Sequence, residues 1–145
     1  METEKTVKLY LVRGLPGSGK STYAEKMFVR KQGFLHFEND MFFMHDGKYE
    51  FDNDKMKDAA NWCYNATAKA LAAGRDVVVS NVFITFKSTR RYLQLAQKYK
   101  AEFKIFRKDK AYGNVHDVPA GTLAQMKRLF QDIPGEVLVD RKDRK

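Results

Sequence analysis

Apolar and polar positions along this chain repeat with two alternating periods, one suited to strands and one to helices. Val7–Arg13 is a β-rich run ending in glycine turns. Lys20–Gln32 has helical spacing and stops before Gly33, and Phe34–Glu38 reads as a short second strand. Turn residues at His45–Lys48 lead to Asp52–Asn53, which can cap a helix reaching about Ala73. Met56, Ala59, Ala60, Cys63, Thr67, Ala70 and Leu71 recur along it at the helical period, and Gly74 supplies a stop. Asp76–Ser80, centred on Val77–Val79, predicts a buried strand. Lys87–Lys100 predicts the next helix, with Leu93, Ala96 and Tyr99 or Lys100 on one side. Glu102–Arg107 predicts a fourth strand, and Lys108–Val118 a polar loop carrying Gly113. Pro119 can open a helix striped by Leu123, Met126, Phe130 and Ile133, which Pro134–Gly135 ends. Glu136–Asp140 predicts a last short strand.

Strands alternating with helices imply an α/β fold: a parallel sheet with right-handed crossovers and helices on both faces. No internal repeat or low-complexity linker interrupts the pattern, and 145 residues suit one domain, with residues 1–6 and 141–145 as flexible ends. In such sheets ligands bind at the carboxyl ends of the strands. The first such end, Arg13–Gly14, runs straight into Gly14-Leu15-Pro16-Gly17-Ser18-Gly19-Lys20-Ser21, followed by Thr22. This matches the G-x-x-x-x-G-K-[ST] pattern of a P-loop, in its expected place between a strand and a helix. The glycines let successive backbone N–H groups curl toward phosphate oxygens. The helix starting at Lys20 aims its free N–H groups and positive dipole end at the same anion. Lys20 offers a compact charge to the β- and γ-phosphates, and Ser21 a hydroxyl to Mg²⁺. ATP with magnesium is the expected ligand.

Glu38-Asn39-Asp40 closes the second strand beside that loop. A carboxylate there can accept a proton from an attacking hydroxyl or hold magnesium through water, with Asp40 the leading candidate and Glu38 and Asn39 behind it. The third strand end, Ser80–Asn81, should open onto the same pocket. Asn81 can orient water or phosphate but carries no negative charge.

These residues resemble the phage-type polynucleotide kinase 5′-hydroxyl kinase domain and its P-loop relatives. The P-loop, the Asn39-Asp40 pair, the Thr89-Arg90-Arg91 helix and Gly113-Asn114-Val115-His116-Asp117-Val118-Pro119 carry the likeness, which covers most of Val7–Asp132. The resemblance implies transfer of the ATP γ-phosphate to a hydroxyl, typically the 5′-OH of RNA or DNA. Lys20 would then stabilise the moving phosphoryl group, Ser21 ligate magnesium and Asp40 act as general base. Three positions depart from the pattern. Met41, Phe42, Phe43 and Met44 stand where relatives place an acceptor-binding arginine. The third strand end reads Asn81-Val82-Phe83, and the lid arginine falls on Gly113, leaving Arg107, Lys108 or Lys110 as substitutes. These departures keep open a small-molecule kinase and a nucleotide-gated binding protein with weak catalysis.

The net charge of +9 favours polyanionic partners, with +3 of it in Arg141–Lys145. It makes a nucleic-acid 5′ end the preferred acceptor. Phe42, Phe43 and Phe83 could stack on bases but read first as packing. Cys63 is the only cysteine, so no intrachain disulfide forms, which fits a reducing compartment. It reads as a small hydrophobe on a helix's inner face. His36, His45 and His116 lack metal-ligand spacing. Met1–Thr6 is charged rather than a signal peptide, and no apolar run is long enough to span a membrane, so a cytoplasmic location is expected.

Overall fold

The computed structural model describes residues 6–110 and 118–140. Most of the expected loop after Lys108, including Gly113 and His116, lies outside the described residues, as do residues 1–5 and 141–145. The elements follow the sequence order. β1 is Lys8–Gly14. α1 is Lys20–Ala24, and it continues as a wider π-helical turn over Glu25–Arg30. β2 is Leu35–Phe37, followed by a 3₁₀ turn, Asn39–Phe43. β3 (Met44–His45) and β4 (Lys48–Tyr49) pair antiparallel. α2 is Met56–Ala72, β5 Val77–Asn81, α3 Phe86–Tyr99, β6 Glu102–Lys108, α4 Ala120–Leu129 and β7 Val137–Leu138.

Five strands form one sheet in the order β2-β5-β1-β6-β7, and all its neighbours are parallel. This is the P-loop NTPase α/β fold. Strand alternation divides the apolar side chains between two layers. Leu9, Leu11, Val77, Val79 and Ile105 pack with Cys63, Leu71, Tyr92 and Leu95 of α2 and α3. Tyr10, Val12 and Val78 pack with Ala24 and Phe28 on the α1 side. Full burial of each large aliphatic stabilises by about 1.5–3 kcal/mol. β1 lies centrally between β5 and β6, so the P-loop rises from the middle of the sheet's carboxyl edge.

The structure differs from the sequence pattern in two places. The turn at His45–Lys48 is a hairpin: Asp46 and Gly47 both have positive φ, 50° and 81°, as an Asp-Gly type I′ turn requires. The last helix ends at Leu129 instead of reaching Ile133, because the chain at Phe130–Gln131 is drawn onto the carboxyl edge of the sheet. There the Gln131 N–H donates to the Ile84 carbonyl at 2.9 Å.

Candidate functional site

The strand-loop-helix segment Gly14–Ser21 has the backbone its glycines were expected to give. Gly17 and Gly19 lie at φ 85° and 83°, where only glycine sits without strain. Gly14 touches β6 so closely that an added Cβ would meet Ser18 Oγ and lie 2.7 Å from the Lys108 carbonyl. Gly19, at the N-cap of α1, has no side chain with which to satisfy the first-turn N–H groups. Ser18 Oγ is the one fully buried side-chain polar atom without a partner among the described residues. A buried unpaired hydroxyl beside an uncapped helix start fits an anion such as a phosphate group. Leu15, Pro16 and Thr22 complete the segment, with Thr22 facing outward.

Lys20 is half-buried. Desolvation pulls its pKa down, opposed by the negative charges of Glu38 and Asp40, so both carboxylates of the second strand end lie within electrostatic reach of the ammonium. Asp40 is exposed and accepts a 3.3 Å hydrogen bond from the Tyr49 hydroxyl at the hairpin.

Glu38 faces inward. Its Oε2 accepts from the hydroxyls of Ser21 and, at 2.6 Å, Ser80. The Ser80 hydroxyl, with its one O–H donated to Glu38, can only accept from His36 Nε2 at 2.6 Å. His36 Nδ1 meets the Glu25 carboxylate, also at 2.6 Å. Both ring nitrogens are thus placed to donate, an arrangement that favours the imidazolium form of His36. Burial works against that charge, but the carboxylates of Glu38, 3.6 Å away, and Glu25 win and raise the pKa. Burial likewise opposes the Glu38 carboxylate, yet His36, Ser21 and Ser80 together hold its pKa at about 2.

Asn81 spends its side chain on the neighbouring turn. Its Oδ1 accepts from the Asn39 N–H at 2.8 Å, and its Nδ2 donates to Asn39 Oδ1 at 3.1 Å and contacts Cys63 Sγ at 3.8 Å. Cys63 is buried, and desolvation pushes its thiol upward, away from the reactive thiolate. Phe43 and Phe83 are buried, 1% and 8% exposed, and Phe42 packs against Phe43 and Trp62.

Arg107 is bound by Asp109 at 2.8 Å, Asp132 at 2.5 Å and Glu136 at 3.1 Å. Lys108 is buried and pairs with Asp140 at 3.3 Å, while Lys110 is exposed. Beside them Arg13 is fully buried. It donates to the Phe83 carbonyl at 3.0 and 2.8 Å, the Gln131 carbonyl at 2.8 Å and Glu136 at 2.7 Å, and lies 4.0 Å from the Phe130 ring centre. Phe83 has a φ of 48°, unusual for a bulky residue, and two of these bonds hold its carbonyl.

The sequence places Lys20 and Ser21 at the helix start after the loop and Asp40 and Asn81 at strand ends, and the fold sets β2, β5 and β1 side by side so that these ends share the sheet's carboxyl edge. The Arg13 centre carried no sequence signal, because an arginine at a strand end reads as exposed. The Glu38 network had one: His36 and Glu38, two apart on a strand, share a face. Among the described residues no group of three or more His, Cys, Asp or Glu converges as a metal cage, and no helix is long and apolar enough to cross a membrane.

A family model described as an AAA domain matches residues 9–110. In sequence, the chain is 30% identical over 139 residues to the uncharacterized protein PM0531 of Pasteurella multocida, covering 87% of this chain and 78% of that one. It is 27% identical over 133 residues to NEDD4-binding protein 2 of Homo sapiens, covering 85% of this chain but only 8% of that protein. In structure, it resembles Chaetomium thermophilum Kti12 in complex with ADP-AlF3, with TM-score 0.63, 13% identity and coverage of 93% and 91%. A gluconokinase from Sinorhizobium meliloti gives 0.60, 20% identity, 92% and 81%. The Pnkp1/Rnl/Hen1 RNA repair complex gives 0.61 and 20% identity, with 92% of this chain aligned on 42% of the matched chain. At these identities the solved structures share its fold.

Proposed function

Because the chain belongs to this AAA-domain family, we propose that it is an ATP-dependent phosphotransferase that moves the γ-phosphate to a hydroxyl, with the 5′-OH of RNA or DNA as the favoured acceptor. The observation that carries the proposal is the glycine cradle with Lys20 at its helix start and two carboxylates, Glu38 and Asp40, in reach of that lysine. On this reading residues 1–145 work as one kinase-like domain.

Gly14–Thr22 would hold the phosphates through backbone N–H groups, with Ser18 Oγ a further donor inside the loop. Lys20 balances the charge spreading over the transferred phosphoryl oxygens. Asp40 takes the proton of the acceptor hydroxyl as its oxygen bonds to the γ-phosphorus. The bond to the bridging oxygen breaks and ADP leaves with that electron pair. The exposure of Asp40 supports this role, since the acceptor must arrive from solvent. Asn81 would act on substrate through the Asn39–Asp40 turn it holds. Arg107 would add positive charge at the strand end, although three carboxylates already bind it. Magnesium, held by Ser21 and the nucleotide's own phosphates, would supply neutralisation of the phosphate charge.

The basic balance supports a polynucleotide acceptor. A small-molecule acceptor is the second reading, favoured by one observation. Phe43, in the stretch where relatives carry an acceptor-binding arginine, is buried, so no cation replaces that arginine there.

The test is transfer of labelled γ-phosphate from ATP to single-stranded RNA and DNA bearing a 5′-OH, with Lys20→Ala and Asp40→Asn alongside. Transfer by the native protein is expected. Lys20→Ala should lose nucleotide binding, and Asp40→Asn should keep it while losing about 10²-fold or more in rate. Tight ATP binding without transfer to either oligonucleotide would reject the polynucleotide acceptor. Undiminished binding and turnover in Lys20→Ala would reject the site itself.

A further inference from the structure

The two carboxylates at the end of β2 are held differently. Asp40 is exposed on the acceptor side, with the hairpin's Tyr49. Glu38 is half-buried under the loop, in a hydrogen-bonded chain running from Glu25 through His36 and Ser80 to Glu38, which Ser21 enters from the other side. Every hydrogen bond and ion pair of Glu38 among the described residues falls on Oε2. Oε1 is not among the fully buried unpaired atoms, so it retains access to solvent. By accepting the Ser21 hydrogen bond, Glu38 also fixes that hydroxyl with its lone pairs turned away from the carboxylate, the orientation in which the oxygen can face a cation.

Building on the kinase reading, we infer that Glu38 is the positioning residue for the divalent cation that accompanies the nucleotide. It orients Ser21 through Oε2 and offers Oε1 to water on the cation. Several features support this division of labour. The third strand, where a P-loop protein commonly carries its metal-side aspartate, ends here in Ser80 and Asn81. Neither can supply a negative charge, and Ser80 instead donates a hydrogen bond to Glu38, so the carboxylate reaches the site from β2, braced by a side chain of β5. A cation held this way needs no protein cage, because magnesium keeps most of its waters and takes one or two protein oxygens plus phosphates. His36, with a second carboxylate behind it, holds the Glu38 end of the chain in place.

The experiment measures ATP affinity by calorimetry with Mg²⁺ and with EDTA, and Mn²⁺ uptake by the protein–ATP complex from the loss of the free Mn²⁺ resonance. Native protein, Glu38→Gln, Glu38→Asp, Ser80→Ala and Lys20→Ala are compared, each checked by thermal melting. Glu38→Gln should keep the EDTA affinity and lose about tenfold or more of Mn²⁺ affinity. Glu38→Asp should recover part of it, because the charge and not the shape is what the cation reads. Ser80→Ala, which removes a donor to Glu38 without touching the loop, should fall between them. Unchanged Mn²⁺ uptake in a folded Glu38→Gln protein would overturn the inference, as would equal loss in the Gln and Asp variants. If Glu38→Gln does not fold, Ser80→Ala decides: native Mn²⁺ affinity there would overturn it. Lys20→Ala separates the two readings: native affinity in EDTA for that variant would reject nucleotide binding by the loop, whatever Glu38 does.

Discussion

Asn81 and Asn39 grip each other through two hydrogen bonds, 2.8 Å from the Asn39 N–H and 3.1 Å between their side-chain amides. The bonds tie the end of β5 to the turn that carries Asp40. Asn81→Ala should therefore loosen the position of Asp40 while leaving the phosphate loop intact. The expected outcome is a ten- to hundredfold loss in transfer rate, on the order of what small misplacements cost. Nucleotide affinity, measured in parallel, should stay near native. An equal loss in both would put Asn81 in the nucleotide site itself.

Arg13 should be the costliest surface-type residue to remove. Arg13→Met leaves Glu136, whose side chain is 6% exposed, with Arg107 and the Ile133 N–H, and strips partners from the Phe83 and Gln131 carbonyls. The expected loss is about 3 kcal/mol in urea unfolding. Pairing it with Glu136→Gln should cost less than the two single losses added, because the variants share one interaction. A loss under about 1 kcal/mol in Arg13→Met would contradict the burial of this charge.

Two glycines give opposite expectations. Gly14→Ala drives a methyl group against Ser18 and the backbone of β6, which cannot give way without disturbing the sheet. It should lose about 1–3 kcal/mol of stability and weaken nucleotide binding. Gly121→Ala, in α4 with open space around it, should gain about 0.5–1 kcal/mol through helix propensity. Thermal melts and ATP titrations of both proteins check the contrast.

The His36–Glu38 pair sets a pH window for stability. Glu38 has its pKa held at about 2 against an ordinary 4.5, so its contribution is complete above 4.5 and disappears as pH falls toward 2. His36 has its pKa raised from 6.5, so its contribution is complete below 6.5 and disappears as pH climbs through the raised value. Melting temperature should peak between about 4.5 and 6.5, with about 3 kcal/mol from Glu38 at stake on the acid side. Glu38→Gln should flatten the acid limb, and His36→Gln the alkaline limb. A native-like acid limb in Glu38→Gln would assign that limb to other carboxylates.

Contiguous chemistry was legible in the sequence. The loop Gly14–Ser21 could be read directly because its glycines, lysine and serine are neighbours, and the strand-end rule then gathered Asp40 and Asn81 around it. Two things were not legible. Phe130 continues the apolar stripe of α4, yet the helix stops one residue earlier: both Arg13 and Arg107 lie over its ring, at 4.0 and 4.8 Å, and Gln131 bonds to Ile84. Those partners come from β1, β6 and the segment after β5, so no local window contains them. The ranking of Asp40 over Glu38 was also blind to burial. Only the folded chain shows that one faces solvent and the other is clasped by two serines and a histidine.

The bond between Arg13 and Glu136 spans 123 positions along the chain. On a ribosome, the guanidinium therefore emerges long before the carboxylate that neutralises it. Until Glu136 is made, the central strand of the sheet would carry a cation that favours water over the core, and β1 would settle only when the stretch carrying that carboxylate arrives. The cradle that follows Arg13 is thus seated only after Glu136 has been made, and a nascent chain halted before Glu136 would display the complete phosphate-binding motif without the means to seat it.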